Sequence, residues 1–133
     1  MNSTKIWANL GVNNLERTIR FYNALGFTPN GRHSVTKDLT SFLIGKDNFV
    51  INFFLKDVLE RNMKVKIADA ENAIEVMFTL SADSEEEVDN WASIVELAEG
   101  RLLSRPQKFG ETYYGFVFAD LDGHTFNVLH MSL

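Results

Sequence analysis

The N-terminal part of the chain alternates between apolar and polar residues with the period of a β-strand. From residue 5 to residue 12, every second position holds an aliphatic side chain, and the positions between them hold Trp7, Asn9 and Gly11. Successive side chains of a strand point to opposite faces of its sheet. The pattern therefore predicts one aliphatic face and a second face shared by Trp7 and Asn9.

Two later segments show the apolar spacing of three and four residues that is typical of an amphipathic helix. Asn13 or Asn14 caps the first helix, which we expect to run to about Leu25. Ser84 begins the second helix, because a glutamate follows it three residues later as in a capping box. This helix is predicted to run to about Ala98. A glycine follows shortly after each predicted end, as is usual beyond helix C-termini.

The other elements are short runs of β-branched, aromatic and aliphatic residues that predict strands. These runs lie at 27–28, 40–44, 49–55, 74–81 and 102–103. A break is predicted at Arg105-Pro106-Gln107. A closing hairpin then starts at Tyr113 and turns at Asp120-Leu121-Asp122-Gly123.

The predicted elements occur twice in the same order, one strand, one helix and three strands. Residues 7–22 lie over residues 76–91 at a shift of 69, and the turn of the closing hairpin lies over Asp47-Asn48 at a shift of 75. We therefore predict an α+β fold for residues 1–133, with two βαβββ repeats forming a curved mixed sheet, a cup, with helices outside. The repeats are placed at about 4–55 and 74–131.

Residues 56–73 form a mixed-charge connector between the predicted repeats. Its first part has the composition of a short helix. Two interpretations remain open for this segment, a mobile flap and a solvated linker.

The overall composition excludes several classes of function. The chain has no cysteine, which excludes disulfides, thiolate metal sites and cysteine nucleophiles. Its formal net charge of −5 is unsuited to a nucleic-acid surface, which needs a basic stripe. The N-terminus lacks the apolar core of a signal peptide and no segment has the length of a membrane span, so we expect a cytoplasmic protein.

Three features together resemble one known family. The stretch from Leu10 to Phe27 contains a short aliphatic strand, a helix start, Phe21-Tyr22 and then Leu-Gly-Phe. The turn Asp120-Leu121-Asp122-Gly123 and the spacing of the two halves are the other features. This order resembles the vicinal oxygen chelate superfamily, which includes glyoxalase I, extradiol dioxygenases, fosfomycin-resistance enzymes and bleomycin-binding proteins. The resemblance covers essentially the whole chain and implies a fold that carries several chemistries.

The resemblance also identifies four positions where metal-dependent members hold a divalent ion with His, Gln and Glu. Those positions are Trp7 on the first strand, Asn127 on the last strand, and their repeat partners Val76 and Asn52. Trp and Val cannot bind a metal ion, and the neutral carbonyl oxygen of Asn suits calcium better than a transition metal. On this basis we expect no metal and no cofactor.

Strand parity and the resemblance together predict an apolar and aromatic cup lining with a few amides and a hydroxyl. The predicted ligand-binding residues are Trp7, Asn9, Val50, Asn52, Phe54, Val76, Phe78, Thr125, Asn127 and Leu129. Such a composition is typical of a small-molecule site. Whether Trp7 and Phe78 line an open cup or plug it remains open.

The remaining polar candidates are three histidines and the residues near the last hairpin. Strand parity directs His124 and His130 away from the cup, and His33 is predicted to be an exposed loop residue. Tyr113, Tyr114 and Glu111 lie near the mouth of the last hairpin, where ligand contacts, dimer contacts and ordinary surface remain alternatives.

These observations lead to a metal-free protein of the glyoxalase and bleomycin-resistance type that binds a small organic molecule. Two alternatives are a metal-dependent lyase or dioxygenase with a displaced site, and a structural module with a plugged cup. A conventional metal-dependent glyoxalase or dioxygenase is not expected, and no catalytic residue is nominated. The resemblance implies a homodimer, since many small members pair, and the sequence shows abundant strand edge.

Overall fold

The computed structural model describes residues 1–132, apart from the side chain of His33. It consists of two compact units, Met1–Ile67 and a second unit that begins at Ala68. Three α-helices and nine strands form the described chain, with one mixed sheet in each unit. The predicted α+β class is confirmed.

The first unit contains four strands, two α-helices and a short 3₁₀ helix. Their order is β1 (Trp7–Val12), α1 (Leu15–Ala24), β2 (Thr28–Pro29), the 3₁₀ helix (Gly31–His33), β3 (Leu39–Ile44), β4 (Phe49–Leu55) and α2 (Lys56–Met63). The sheet order is β1-β4-β3-β2. The strand β1 runs parallel to β4, and the other pairs are antiparallel. Two parallel strands need a long crossover connection, and the part of the chain between β1 and β4, which includes α1, supplies it.

Local signals explain where α1 begins and how it is held. The backbone nitrogen of Arg17 donates to the Asn14 side chain at 3.0 Å, so Asn14 is the cap. Tyr22 of α1 is fully buried, and its ring stacks on Phe53 of β4 at 4.4 Å between centroids. This stacking fixes which face of the sheet lies against α1.

The second unit repeats this order, with one more strand. Its elements are β5 (Met77–Ser81), α3 (Glu85–Leu97), β6 (Arg101–Leu102), β7 (Gln107–Phe109), β8 (Tyr113–Ala119) and β9 (Thr125–Met131). The sheet order is β5-β9-β8-β6, and β7 also pairs with β8. The strand β5 runs parallel to β9, as β1 does to β4. The predicted duplication of the βαβ arrangement is therefore present.

Two predicted boundaries in the second unit were wrong. Ile74 and Val76 precede β5, which begins at Met77 and is three residues shorter than the predicted strand 74–81. The predicted break at Arg105-Pro106-Gln107 extends one residue too far, because Gln107 is the first residue of β7, a strand that was not predicted. Gln107–Phe109 pairs with Tyr113–Gly115 across a tight turn. A strand can start directly after Pro106, since proline is tolerated at strand ends.

The helix α3 of the second unit begins at its predicted cap, and aromatic residues form the core beneath it. The backbone nitrogen of Glu87 donates to the Ser84 hydroxyl at 3.0 Å, while the Glu87 carboxylate accepts from the backbone of Asp83 at 2.7 Å. The ring of Phe126 lies between those of Phe78 and Phe118, at 5.5 and 5.2 Å between centroids. These aromatic residues form the core beneath α3.

The predicted connector 56–73 is divided between the two units. In the first unit, α2 is followed by its C-cap residue Lys64, which is left-handed with φ of 58°, and the backbone nitrogen of Ile67 donates to the Glu60 carboxylate at 2.8 Å. In the second unit, the backbone nitrogens of Asn72 and Ala73 donate to the carbonyl of Asp69. The segment therefore makes specific contacts on both sides of the boundary.

None of the helices in residues 1–132 is long and apolar enough to cross a membrane.

Candidate functional site

Strand register divides the sheet of the first unit into two chemically different faces. The pairs Ala8–Ile51 and Leu10–Phe53 lie on the face against α1, where Ile51 and Phe53 are buried. The opposite face, called here the distal face, carries the pairs from β1 and β4 that alternate with them. These pairs are Trp7–Val50, Asn9–Asn52 and Gly11–Phe54. All five predicted cup residues of the first repeat therefore share one face.

A hydrogen-bonded chain of side chains crosses the distal face and is called here the amide chain. The Asn30 amide donates to the Ser41 hydroxyl at 3.1 Å, and that hydroxyl donates to the Asn52 carbonyl oxygen at 2.7 Å. The Asn52 amide in turn donates to the Asn9 carbonyl oxygen at 3.0 Å. The amide chain thus runs from Asn30, the residue after β2, across β3 and β4 to β1 through neutral groups.

Sequence reasoning found two members of the amide chain and missed the other two. Ser41 is only 1 % exposed, but the sequence does not distinguish it, because it follows another polar residue in a predicted strand. Its role comes from its register opposite Asn52. Asn30 belongs to a Pro-Asn-Gly segment, which predicts a turn but does not indicate that the side chain makes a hydrogen bond to the sheet. Pairing of β3 with β4 is the signal that would have identified Ser41.

A cavity of about 740 Å³ opens beside the first residue of β1. Its walls come from the N-terminal segment, the start of β4 and the β3–β4 turn. The lining residues are Thr4, Lys5, Ile6, Trp7, Asn30, Leu43, Asp47, Asn48, Phe49 and Val50. Trp7 is 54 % exposed, so its ring is available at the cavity wall.

The other end of the distal face is covered by the segment after α2. A Cβ atom built on Gly11 would lie 3.3 Å from the Ile67 side chain and 3.5 Å from that of Lys56. The absence of a side chain at Gly11 therefore lets this segment approach the sheet closely. Trp7 and Asn9 lie on the same strand as Gly11 but closer to the cavity. The accessible part of the distal face is therefore the part next to the start of β1.

The second unit requires a correction of the predicted cup lining. Phe78 pairs with Phe126 and packs against its ring, so it lies on the face against α3 and not on the opposite face. Val76 precedes β5 and is 59 % exposed. Phe78 was assigned to the wrong face and Val76 lies outside the strand, because the repeats were aligned one residue out of register. A slip of one residue moves every side chain of a strand to the other face.

The corrected counterpart of Trp7 is Met77. Each lies seven residues before the cap of the following helix, Asn14 or Ser84. Each also pairs two residues before the corresponding asparagine of the last strand, since Trp7 pairs with Val50 and Met77 with Thr125. The two units therefore correspond at a shift of 70 in their first strands.

The predicted residues of β9 lie on the face away from α3. Thr125, Asn127 and Leu129 pair with Met77, Thr79 and Ser81 of β5. The Asn127 amide lies 3.5 Å from the Thr79 hydroxyl, so it repeats at longer range the contact of Asn52 with Asn9. The Thr125 hydroxyl is buried and donates to the carbonyl of Gly123 at 3.1 Å.

The four positions that the resemblance assigns to metal ligands, with Met77 in place of Val76, do not suit a transition metal. They hold the indole of Trp7, the thioether of Met77 and the neutral amides of Asn52 and Asn127. The carbonyl oxygen of Asn52 already accepts the Ser41 proton. Sites for divalent transition metals use imidazole, thiolate or carboxylate groups. Among the side chains that the structure describes, which exclude that of His33, no group of three or more His, Cys, Asp and Glu could hold an ion.

The histidines and tyrosines near the last hairpin contribute to other contacts. The Nδ1 atom of His130 lies 3.0 Å from the Ala82 carbonyl, in the loop before α3. The backbone nitrogen of His124 donates to Asp120 in the turn. The predicted exposure of the His33 side chain lies outside the described residues. Tyr113 stacks on Phe109 at 5.5 Å.

Tyr114 binds α3, and this contact predicts an altered titration. Its hydroxyl donates to the Asp89 carboxylate at 2.6 Å, which raises the pKa of Tyr114 from 10.0 to about 12. Because the folded pKa is raised, the contact stabilises the fold below pH 10 and is lost as the pH rises through about 12. We expect Asp89→Asn to move the Tyr114 pKa back towards 10.0, as measured by ultraviolet absorbance of tyrosinate. Tyr114→Phe assigns the signal, and an unchanged titration in Asp89→Asn would contradict the assignment.

Comparisons with known proteins agree with this architecture. The sequence profile described as Glyoxalase/Bleomycin resistance protein/Dioxygenase superfamily matches residues 6–128. The structure of hypothetical protein SA1046 from S. aureus is similar, with 30 % identity, a TM-score of 0.84, and coverage of 98 % of this chain and 95 % of that one. A search of curated protein sequences gave no match.

Two further solved structures share the fold at lower identity. A glyoxalase-related enzyme from Fulvimarina pelagi has 21 % identity and a TM-score of 0.82, covering 96 % of this chain and 88 % of that one. Lactoylglutathione lyase from Agrobacterium tumefaciens has 21 % identity and a TM-score of 0.67, with 98 % and 96 % coverage. With the profile match over most of its length, the chain belongs to the Glyoxalase/Bleomycin resistance protein/Dioxygenase superfamily.

Proposed function

We propose that this protein binds a small organic molecule without a metal ion, and that the distal face of the first unit is its binding surface. The observation that carries the proposal is the amide chain. Asn52 occupies a ligand position of metal-dependent relatives, but its carbonyl oxygen accepts from Ser41 and its amide donates to Asn9. Both ends of the side chain are thereby committed to neutral hydrogen bonds.

The accessible part of the distal face has the chemistry of an organic binding site. Trp7 exposes an aromatic surface beside a cavity of about 740 Å³, which is in the size range of small-molecule pockets. Asn9 is exposed two residues further along the same face. An indole supplies a large stacking surface, and an amide supplies directional hydrogen bonds. The combination favours recognition of an organic group over coordination of a cation.

The activity named for one similar structure is not transferred to this chain. Lactoylglutathione lyase from Agrobacterium tumefaciens shares 21 % identity, which supports a common fold and nothing about the reaction. The substitutions at the four ligand positions argue against metal-dependent chemistry at that place in this chain.

A homodimer and a cytoplasmic location are part of the proposal. The strands β1 and β5 form edges of their sheets, and the apolar residues Trp7 and Met77 on them are exposed. Pairing with a second copy would cover such edges. The cytoplasmic location stays a prediction from the sequence.

The metal-free proposal predicts that purified protein carries much less than one equivalent of any transition metal. The expected result is the same after incubation with nickel, zinc, iron or manganese and removal of the excess ion, because no charged or imidazole ligand replaces the four substituted positions. Elemental analysis by mass spectrometry measures the bound metal. One equivalent that is retained by the protein and lost in Asn52→Ala would contradict the proposal. Asn23→Ala, on α1, is the matched control for the substitution.

A further inference from the structure

We propose that the distal face selects a flat, uncharged ring that carries a hydrogen-bond acceptor such as a carbonyl group. The ring stacks on Trp7, and the Asn9 amide nitrogen donates to the acceptor. This inference rests on the proposed function and names the ligand class of the same surface.

The amide chain determines which atom of Asn9 a ligand meets. The Ser41 hydroxyl has a single proton, which it gives to Asn52 while accepting from Asn30. Asn52 then donates to Asn9, so the Asn9 carbonyl oxygen is occupied. The Asn9 amide nitrogen has no hydrogen-bond partner in the part of the chain that the structure describes, and it belongs to an exposed side chain. The amide chain therefore ends in a hydrogen-bond donor, the N–H group of the Asn9 side chain.

The distance between Trp7 and Asn9 suits one small bicyclic molecule. Both residues lie on β1 and point to the same face, so their Cα atoms are roughly 7 Å apart. A fused two-ring system that stacks on the indole places a ring carbonyl about half that distance from its centre, towards the Asn9 amide. One ligand can thus use both groups at once.

The charges around the distal face favour an uncharged ligand. The amide chain consists of three amides and one hydroxyl, none of which carries a charge. Lys5 and Asp47 both line the adjoining cavity and have opposite charges, and the whole chain has a net charge of −5. A carboxylate ligand would lose its hydration against neutral donors, which makes burial costly.

The test compares three soluble probes that differ in the group they present. The probe 1-methyl-2-quinolone has an acceptor and no N–H donor, indole has a donor and no comparable acceptor, and 2-naphthoate is charged. Titration is followed by the ¹⁵N–¹H signals of the Trp7 indole and the Asn9 side-chain amide. We expect 1-methyl-2-quinolone to shift both signals and to bind about tenfold more tightly than either other probe, as one added hydrogen bond implies.

The variant Asn9→Asp separates the donor from the rest of the site. An aspartate keeps an oxygen that accepts from Asn52 but removes the outward N–H group. We expect 1-methyl-2-quinolone to lose about tenfold in affinity and indole to lose none. Trp7→Leu should weaken both probes, whereas Asn23→Ala on α1 should change neither. Thermal unfolding of each variant confirms that the fold is retained.

Three results would overturn the inference. They are equal binding of 1-methyl-2-quinolone and indole, an unchanged ratio between them in Asn9→Asp, and tighter binding of 2-naphthoate. These titrations do not measure bound metal, so any of the three results would leave the metal-free proposal unchanged. Conversely, retention of one metal equivalent at Asn52 would contradict that proposal through a separate measurement.

Discussion

Gly123→Ala is expected to destabilise the second unit by about 3 kcal/mol or more. Gly123 has a φ of 94°, a conformation that L-residues with a side chain rarely adopt. A Cβ atom at this position would also lie 2.6 Å from the backbone of Ala70 and Glu71. Backbone atoms cannot rotate away as a flexible side chain can, so either the turn or residues 70–71 must move. Urea unfolding followed by circular dichroism measures the loss.

Gly45→Ala is the matched control for this prediction. Gly45 also has a positive φ of 77°, but no atom lies within 4 Å of a Cβ built there. Its substitution should cost only the conformational strain, about 1–2 kcal/mol. The difference between the two variants therefore reports the contact of the Gly123 turn with residues 70–71. Equal losses would show that this close packing contributes nothing to stability.

Phe53→Ala is expected to destabilise the first unit by about 3–5 kcal/mol. Phe53 is fully buried, and its ring stacks on Tyr22 at 4.4 Å and meets Phe42 edge-on at 6.3 Å. Truncation removes a large apolar surface and leaves a cavity that the neighbouring rings cannot fill without leaving their positions. Denaturant unfolding measures the change in the free energy of unfolding.

Phe54→Ala tests the same residue type on the other face of the same strand. Phe54 lies on the distal face opposite Gly11 and is only partly buried. We expect a loss of about 1 kcal/mol, because less apolar surface leaves a packed environment. Similar losses for Phe53→Ala and Phe54→Ala would contradict the assignment of the two faces.

Elements with a strong local signal could be predicted from the sequence. The cap at Ser84 was correct, and the structure selects Asn14 from the two caps predicted for the first helix, Asn13 and Asn14. These predictions succeed because a side chain and the helix it starts are adjacent in sequence. The turn at 120–123 was correct for a similar reason: Asp120 accepts from the backbone of Asp122 and His124 within the turn itself. The predicted family membership followed from these local features in their order.

Strand register in the second unit could not be predicted in the same way. The shift of 69 placed Tyr22 over Trp91, which matches two aromatic residues, whereas the shift of 70 given by the helix caps places Tyr22 over Ala92. Ala92 is one of three buried residues of that helix, with Val88 and Val95. Aromatic identity was thus a poor guide to register, and the error moved Phe78 to the wrong face. Pairing with β9 fixes the register through contacts far apart in sequence.

The candidate site was predicted to a similar extent. Trp7, Asn9 and Asn52 were nominated for one face from strand parity, and the pairing of β1 with β4 places them on one face. Ser41 and Asn30 were not identified, since their role depends on pairing between strands that the sequence does not specify. The correction from Val76 to Met77 changes the residue at one ligand position and introduces a thioether, which is a soft ligand without charge.

The amide chain has a consequence for how the surface would respond to acidity. Histidine ligands gain and lose protons within the physiological pH range and carboxylate ligands do so at more acidic pH, so hydrogen ions compete with whatever they bind. The side chains of Asn9, Asn52, Asn30 and Ser41 do not gain or lose a proton over this pH range. Recognition built on them would therefore be insensitive to acidification of the surroundings, in contrast to a surface that depends on imidazole or carboxylate.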